Sequence, residues 1–158
     1  MTLFIFATIA LVLVIFYYCV RSVHHPFELI FVYLFFAFVR TNVFFIFSLN
    51  TKVLEIPSVD TDHAAYLLSN LVVFPVLIIY YLQCIGFVRN WSLKWLITVI
   101  FSFILGQFTL LQIDHEVLIQ KKSFHPLWLF AIWAAMLLLQ WGAAAIYRRI
   151  LAKEGIVA

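Results

Sequence analysis

PFELIFVYLFFAFVRTNVFFIFSLN, residues 26–50, is an almost unbroken apolar run that carries one arginine, Arg40, well inside it. Such a run is longer than the roughly 20 residues that cross a hydrocarbon core of about 30 Å at 1.5 Å per residue. It calls for a bilayer. Four further segments share its character, and the composition agrees: 66% hydrophobic, 19% aromatic and 11% charged residues, with a mean hydropathy of +1.11. A soluble domain carries about a quarter charged residues, and one of 158 residues has no interior large enough for five such segments. The chain therefore reads as all-α, a polytopic membrane helix bundle. A single membrane domain spans 1–158, with five transmembrane helices at about 2–20, 27–49, 64–88, 93–113 and 126–151.

Working outward, the first apolar segment has no basic residue before it and ends in Phe16-Tyr17-Tyr18-Cys19, without a small-residue cleavage site, so it reads as a retained helix. Arg21, Ser22, His24 and His25 form a short polar turn. Pro26 and Pro126 both stand where a helix accepts proline, at its first position. Pro75 falls inside the third helix, where it frees the carbonyl of Leu71 and predicts a bend.

Orientation follows from lysine and arginine. Arg21, Arg89, Lys94, Arg148, Arg149 and Lys153 fall on one side; Lys52, Lys121 and Lys122 fall on the other, beside Glu55, Asp60, Asp62, Asp114 and Glu116. The positive-inside rule puts the N-terminus outside and the C-terminus in the cytoplasm. The net charge of +3 is a topology signal and gives no reason to expect a nucleic acid, since the basic residues line a membrane face and form no groove. Trp91, Trp95 and Trp128 near helix ends suit an interfacial belt. Cys19 and Cys84 have no metal-type spacing and read as free thiols.

Small residues suggest how the last helices pack. Ala131, Ala135, Leu138, Gly142, Ala145 and Arg149 share one stripe of the fifth helix, and Ser102, Gly106 and Thr109 share one of the fourth. Close approach along both is expected to join these helices. Trp133, Gln140 and Tyr147 lie on the opposite face of the fifth helix, turned either to the bundle or to a partner protein.

Arg40 is about 20 Å from the cytoplasmic end of its helix and about 13 Å from the outer end at 1.5 Å per residue. A charge there costs a few kcal/mol on insertion scales, so it must be paired, hydrated or snorkelling. Depth matching brings Ser69, Asn70 and Gln107 to the same outer half, and with Arg40 they form a candidate ligand-binding site. An arginine among amides can hold a carboxylate or phosphate through its planar fork. The competing reading sends the Arg40 head to interfacial water, phospholipid phosphate or Glu55.

The outer loops hold a second constellation. Asp60, Asp62, His63, Asp114, His115 and His125 have the ligand types for zinc or another divalent ion, provided the loops meet, although no spacing matches a named zinc motif. Catalytic signatures are lacking: there is no GxSxG, no HExxH and no glycine-rich phosphate loop, and no cofactor is expected.

Glu55 and Pro57 before the third helix, the run Val72-Val73-Phe74-Pro75-Val76-Leu77 within it, and Trp128 and Trp133 in the last helix resemble a family of small uncharacterised five-helix membrane proteins of spore-forming Firmicutes. The resemblance covers about helices two to five and implies fold and membrane location only. The expected role is non-enzymatic. Either an anionic solute or lipid head group binds at Arg40, or the chain is an accessory subunit or homo-oligomer whose fifth helix docks on a membrane partner. The alternative is a lipid-modifying enzyme or metal-binding membrane protein using the outer Asp and His residues.

Overall fold

The computed structural model describes residues 2–19, 25–46, 54–55, 60–121 and 125–156. Arg21, Ser22, His24, Lys52, Pro57 and Lys122, together with the side chain of Cys19, lie outside the described residues.

The described chain is all-α apart from one short ladder. Its helices are α1 (Thr2–Cys19), α2 (Pro26–Phe45), α3 (Asp60–Phe87), α4 (Trp91–Asp114) and α5 (Pro126–Lys153). Four of them, α2 to α5, are long and apolar enough to cross a membrane; α1 is a shorter apolar helix.

The starts are set by local chemistry. His25 caps α2 and His125 caps α5, each accepting the amide two residues on through Nδ1, at 3.4 and 3.3 Å, with proline at the first helical position behind it. Asn90 caps α4 by accepting the Ser92 amide at 3.0 Å. α3 starts at Asp60, four residues before the expected Ala64, so Asp60 and Asp62 lie in its first turn, where negative charge suits the helix dipole.

Within α3, Ser69–Val73 form a π turn immediately before Pro75, and the Phe74 amide bonds the carbonyl of Ser69. The wider turn absorbs the bond that proline cannot make. The carbonyl of Leu71 that Pro75 deprives of its usual donor accepts the Tyr33 hydroxyl of α2 at 3.2 Å.

The main core lies among α2, α3, α4 and α5, built from Val32 and Phe36, Phe74, Ile78 and Tyr81, Leu105, and Trp133 and Leu137. α1 packs against α3 on both sides of the π turn, with Phe6 and Ala10 buried and the Tyr80 hydroxyl bonded to the Leu13 carbonyl at 3.2 Å. At the end of the bundle where α2 and α4 finish and α3 and α5 begin, β1 (Leu54–Glu55) pairs antiparallel with β2 (Ile119–Gln120), aligning Leu54 with Gln120 and Glu55 with Ile119. Val117 and Leu118 turn inward from this ladder to cover Phe6, Ala65 and Tyr66.

The packing of α5 differs from the expected one. On α4, Ser102, Gly106 and Thr109 are buried as the small-residue stripe predicts, but Gly106 and Thr109 meet aromatic rings of α5. The small stripe of α5 faces outward: Ala131, Ala135, Gly142, Ala145 and Arg149 are exposed. Gly142 has open space where a Cβ would stand and borders, with Leu138, a surface groove against Phe31 and Phe35 of α2. The reason is volume. A glycine on α4 leaves room for the Phe130 ring, whereas a second row of small residues facing it would leave a void. A Cβ on Gly106 would collide with Phe130, which is stacked on Phe103 at 5.4 Å. Gly106→Val is therefore expected to cost about 1–3 kcal/mol, read as a lowered midpoint of unfolding in mixed detergent micelles.

Candidate functional site

Arg40 extends the inward stripe of α2, Glu28, Val32 and Phe36, at a spacing of four residues. Its guanidinium reaches α3, where Nε donates to Oδ1 of Asn70 at 2.5 Å. Asn70 belongs to the π turn and donates its own amide to the Tyr66 carbonyl at 3.0 Å, which fixes the side chain so that its oxygen faces the arginine. The arginine lies over the Phe74 ring at 4.0 Å and near the Trp133 ring at 5.0 Å. Attraction to the ring faces partly replaces the hydration that a buried guanidinium loses.

The platform is itself held in place. Phe74 and Trp133 are stacked at 5.0 Å, and Phe36 stacks on Trp133 at 6.5 Å. The indole N–H donates to the Thr109 hydroxyl at 3.1 Å, and that hydroxyl bonds back to the Leu105 carbonyl. Among the described residues no carboxylate is within ion-pair reach of Arg40. Glu55 pairs instead with Lys121 across the ladder. The terminal guanidinium nitrogens have no hydrogen-bond partner among the described residues.

The other candidate ligands do not join this site. Ser69 is fully buried, but its hydroxyl returns to the Ala65 carbonyl at 2.6 Å on its own helix. Gln107 is exposed on the far side of α4, because equal depth does not fix rotation about the helix axis. No protein-family model, curated protein or solved structure matches this chain.

The proposed metal constellation does not assemble. The loops do meet at the ladder, yet among the described residues no three His, Cys, Asp or Glu side chains come close enough to hold an ion. His125 caps α5, and Asp60, Asp62 and His63 belong to the first turn of α3.

Two links were missed in the sequence. Glu28 is 2% exposed and accepts from Arg148, with Nε at 3.3 Å and Nη2 at 3.1 Å. Gln140, equally buried, donates to the Val32 carbonyl at 2.7 Å. The signal for the first was a lone carboxylate inside an apolar run, which hydrocarbon tolerates only beside a cation. These contacts turn Trp133, Gln140 and Tyr147 toward the bundle: Trp133 is 2% exposed, and Tyr147 stacks on Phe31 at 4.2 Å. They do not form an outward docking face.

Proposed function

We propose that this chain is a five-span, multi-pass protein of the cell membrane, N-terminus outside and C-terminus in the cytoplasm, that binds a small anionic group at Arg40. The group is a free solute or a lipid head group carrying a carboxylate or phosphate. The supporting observation is the state of the guanidinium: its Nε is fixed by Asn70 and its face by Phe74 and Trp133, while its terminal nitrogens carry no protein partner among the described residues. A planar fork held by one edge presents the other edge in a fixed direction, the geometry that bidentate recognition of an oxyanion needs. A purely structural arginine in this position would be expected to find a carboxylate or a ring of carbonyls.

The five-span topology is supported by the packing of α1 against α3, which continues the bundle, and by the greater number of basic residues on one side.

Native mass spectrometry of the protein released gently from its own membrane tests the binding. A stoichiometric adduct that disappears in Arg40→Leu, while the variant keeps its helical signal and unfolding midpoint, is the expected result. A spectrum of Arg40→Leu in which no adduct of the parent chain is lost would refute an anion site at Arg40.

A further inference from the structure

At the opposite end of the bundle a cavity of about 380 Å³ lies where α2 begins and α3 and α5 end. Its apolar walls include Leu82 and Trp141, and its charged lining is Glu28, Arg148 and Arg149. Glu28 is buried and holds Arg148 through two guanidinium nitrogens. The next residue, Arg149, is exposed, as are Gly86 of α3 and Ala145 of α5, so the cavity opens to the surface between these two helices. Among the described residues, two guanidinium groups against one carboxylate leave the lining with a surplus positive charge.

Beside the cavity is an aromatic cluster. Trp141 lies 5.3 Å from Trp91, which is 6.1 Å from Trp95, and the Lys94 ammonium is 5.5 Å from the Trp141 ring. Indoles gathered with lysine and arginine at helix ends mark the level of the lipid head groups. A basic pocket between helices at that level, with apolar walls continuing toward the hydrocarbon, has the form of a phosphate head-group site.

We infer that this cavity binds a phosphate group, with Arg149 and Arg148 on its oxygens and Leu82 and Trp141 against the attached apolar portion. Glu28 acts as a positioning residue, holding the Arg148 fork in one orientation by charge-assisted bonds. The apolar walls favour a phospholipid over free phosphate, and the site is independent of Arg40.

The test is native mass spectrometry of the full chain in detergent, titrated separately with phosphatidylglycerol, phosphatidylcholine and inorganic phosphate. Two variants accompany it. Arg149→Gln removes an exposed charge, and Gly86→Leu fills the cavity from a position where an added Cβ meets nothing within 4 Å. Phosphatidylglycerol is expected to bind one to one and more tightly than phosphatidylcholine, about tenfold more weakly in Arg149→Gln, and not measurably in Gly86→Leu. Binding should persist in Arg40→Leu, which separates this site from the outer one. Inorganic phosphate bound with the same dependence on Arg149 and Gly86 would support the site and identify free phosphate as its source. Binding of neither, or phosphatidylglycerol binding as tight in Arg149→Gln and in Gly86→Leu as in the parent chain, overturns the inference.

Discussion

Arg148→Leu is expected to destabilise the bundle by roughly 3 kcal/mol, because it takes from the buried Glu28 carboxylate the guanidinium that donates to it through two nitrogens. Glu28 is 2% exposed, whereas the Arg148 side chain is 40% exposed, so the penalty falls almost wholly on the partner left behind. Removing both charges in Glu28→Leu with Arg148→Leu is expected to restore most of the loss, since a buried ion pair replaced by apolar groups of similar volume is often neutral. The measurement is a double-mutant cycle on unfolding in mixed micelles. A coupling of about 2 kcal/mol is expected between residues that share two hydrogen bonds. Additive single effects would show that the pair is too hydrated to matter.

Trp133→Ala is expected to be of similar size, about 3 kcal/mol or more, near the lower end for a large aromatic removed from a core. Between membrane helices the loss is one of packing, because lipid tails compete for apolar surface as well as protein does. The indole is the middle of a stack: Phe36 and Phe74 lie against it, and its N–H holds Thr109 of α4. Its removal also withdraws part of the surface under Arg40, so the anion adduct should weaken together with the unfolding midpoint. Trp133→Phe separates the two effects. It keeps a ring for the stack and loses only the Thr109 bond, so a loss near 1 kcal/mol with binding preserved is the expected result.

Much of the architecture was legible because bilayer physics acts on long stretches. Apolar length gave the helices of the four candidate spans, and the paired His-Pro steps at residues 25–26 and 125–126 became matching caps. Pro75 and the freed carbonyl of Leu71 could be read from the rule that a proline removes the bond four residues back. Depth gave the level shared by Arg40 and Asn70, thirty positions apart, which the structure joins by a hydrogen bond.

Rotation was harder to read than depth. Gln107 is at a suitable height on the wrong side of α4, and the small-residue stripe of α5 expected against α4 faces outward, since a lipid environment accepts small residues as readily as a helix does. The Glu28–Arg148 pair spans 120 positions, a separation at which neither periodicity nor local spacing carries information. The pairing of β1 with β2 was likewise invisible, because two residues are too few to show an alternating pattern.

The π turn of α3 has a consequence for helical phase. A turn that takes one residue more than an α-helix needs delays every later side chain by about 100° about the axis. α1 follows α3 on both sides of that turn, with Phe6 beside Ala65 and Tyr66 before it and Leu13 bonded to Tyr80 beyond it, whereas Ile78, Tyr81 and Leu82 beyond the turn enter the core shared with α2, α4 and α5. One helix acts as two with a fixed offset. Asn70 sits within that offset, so the contact with Arg40 and the phase of the later side chains depend on the same five residues.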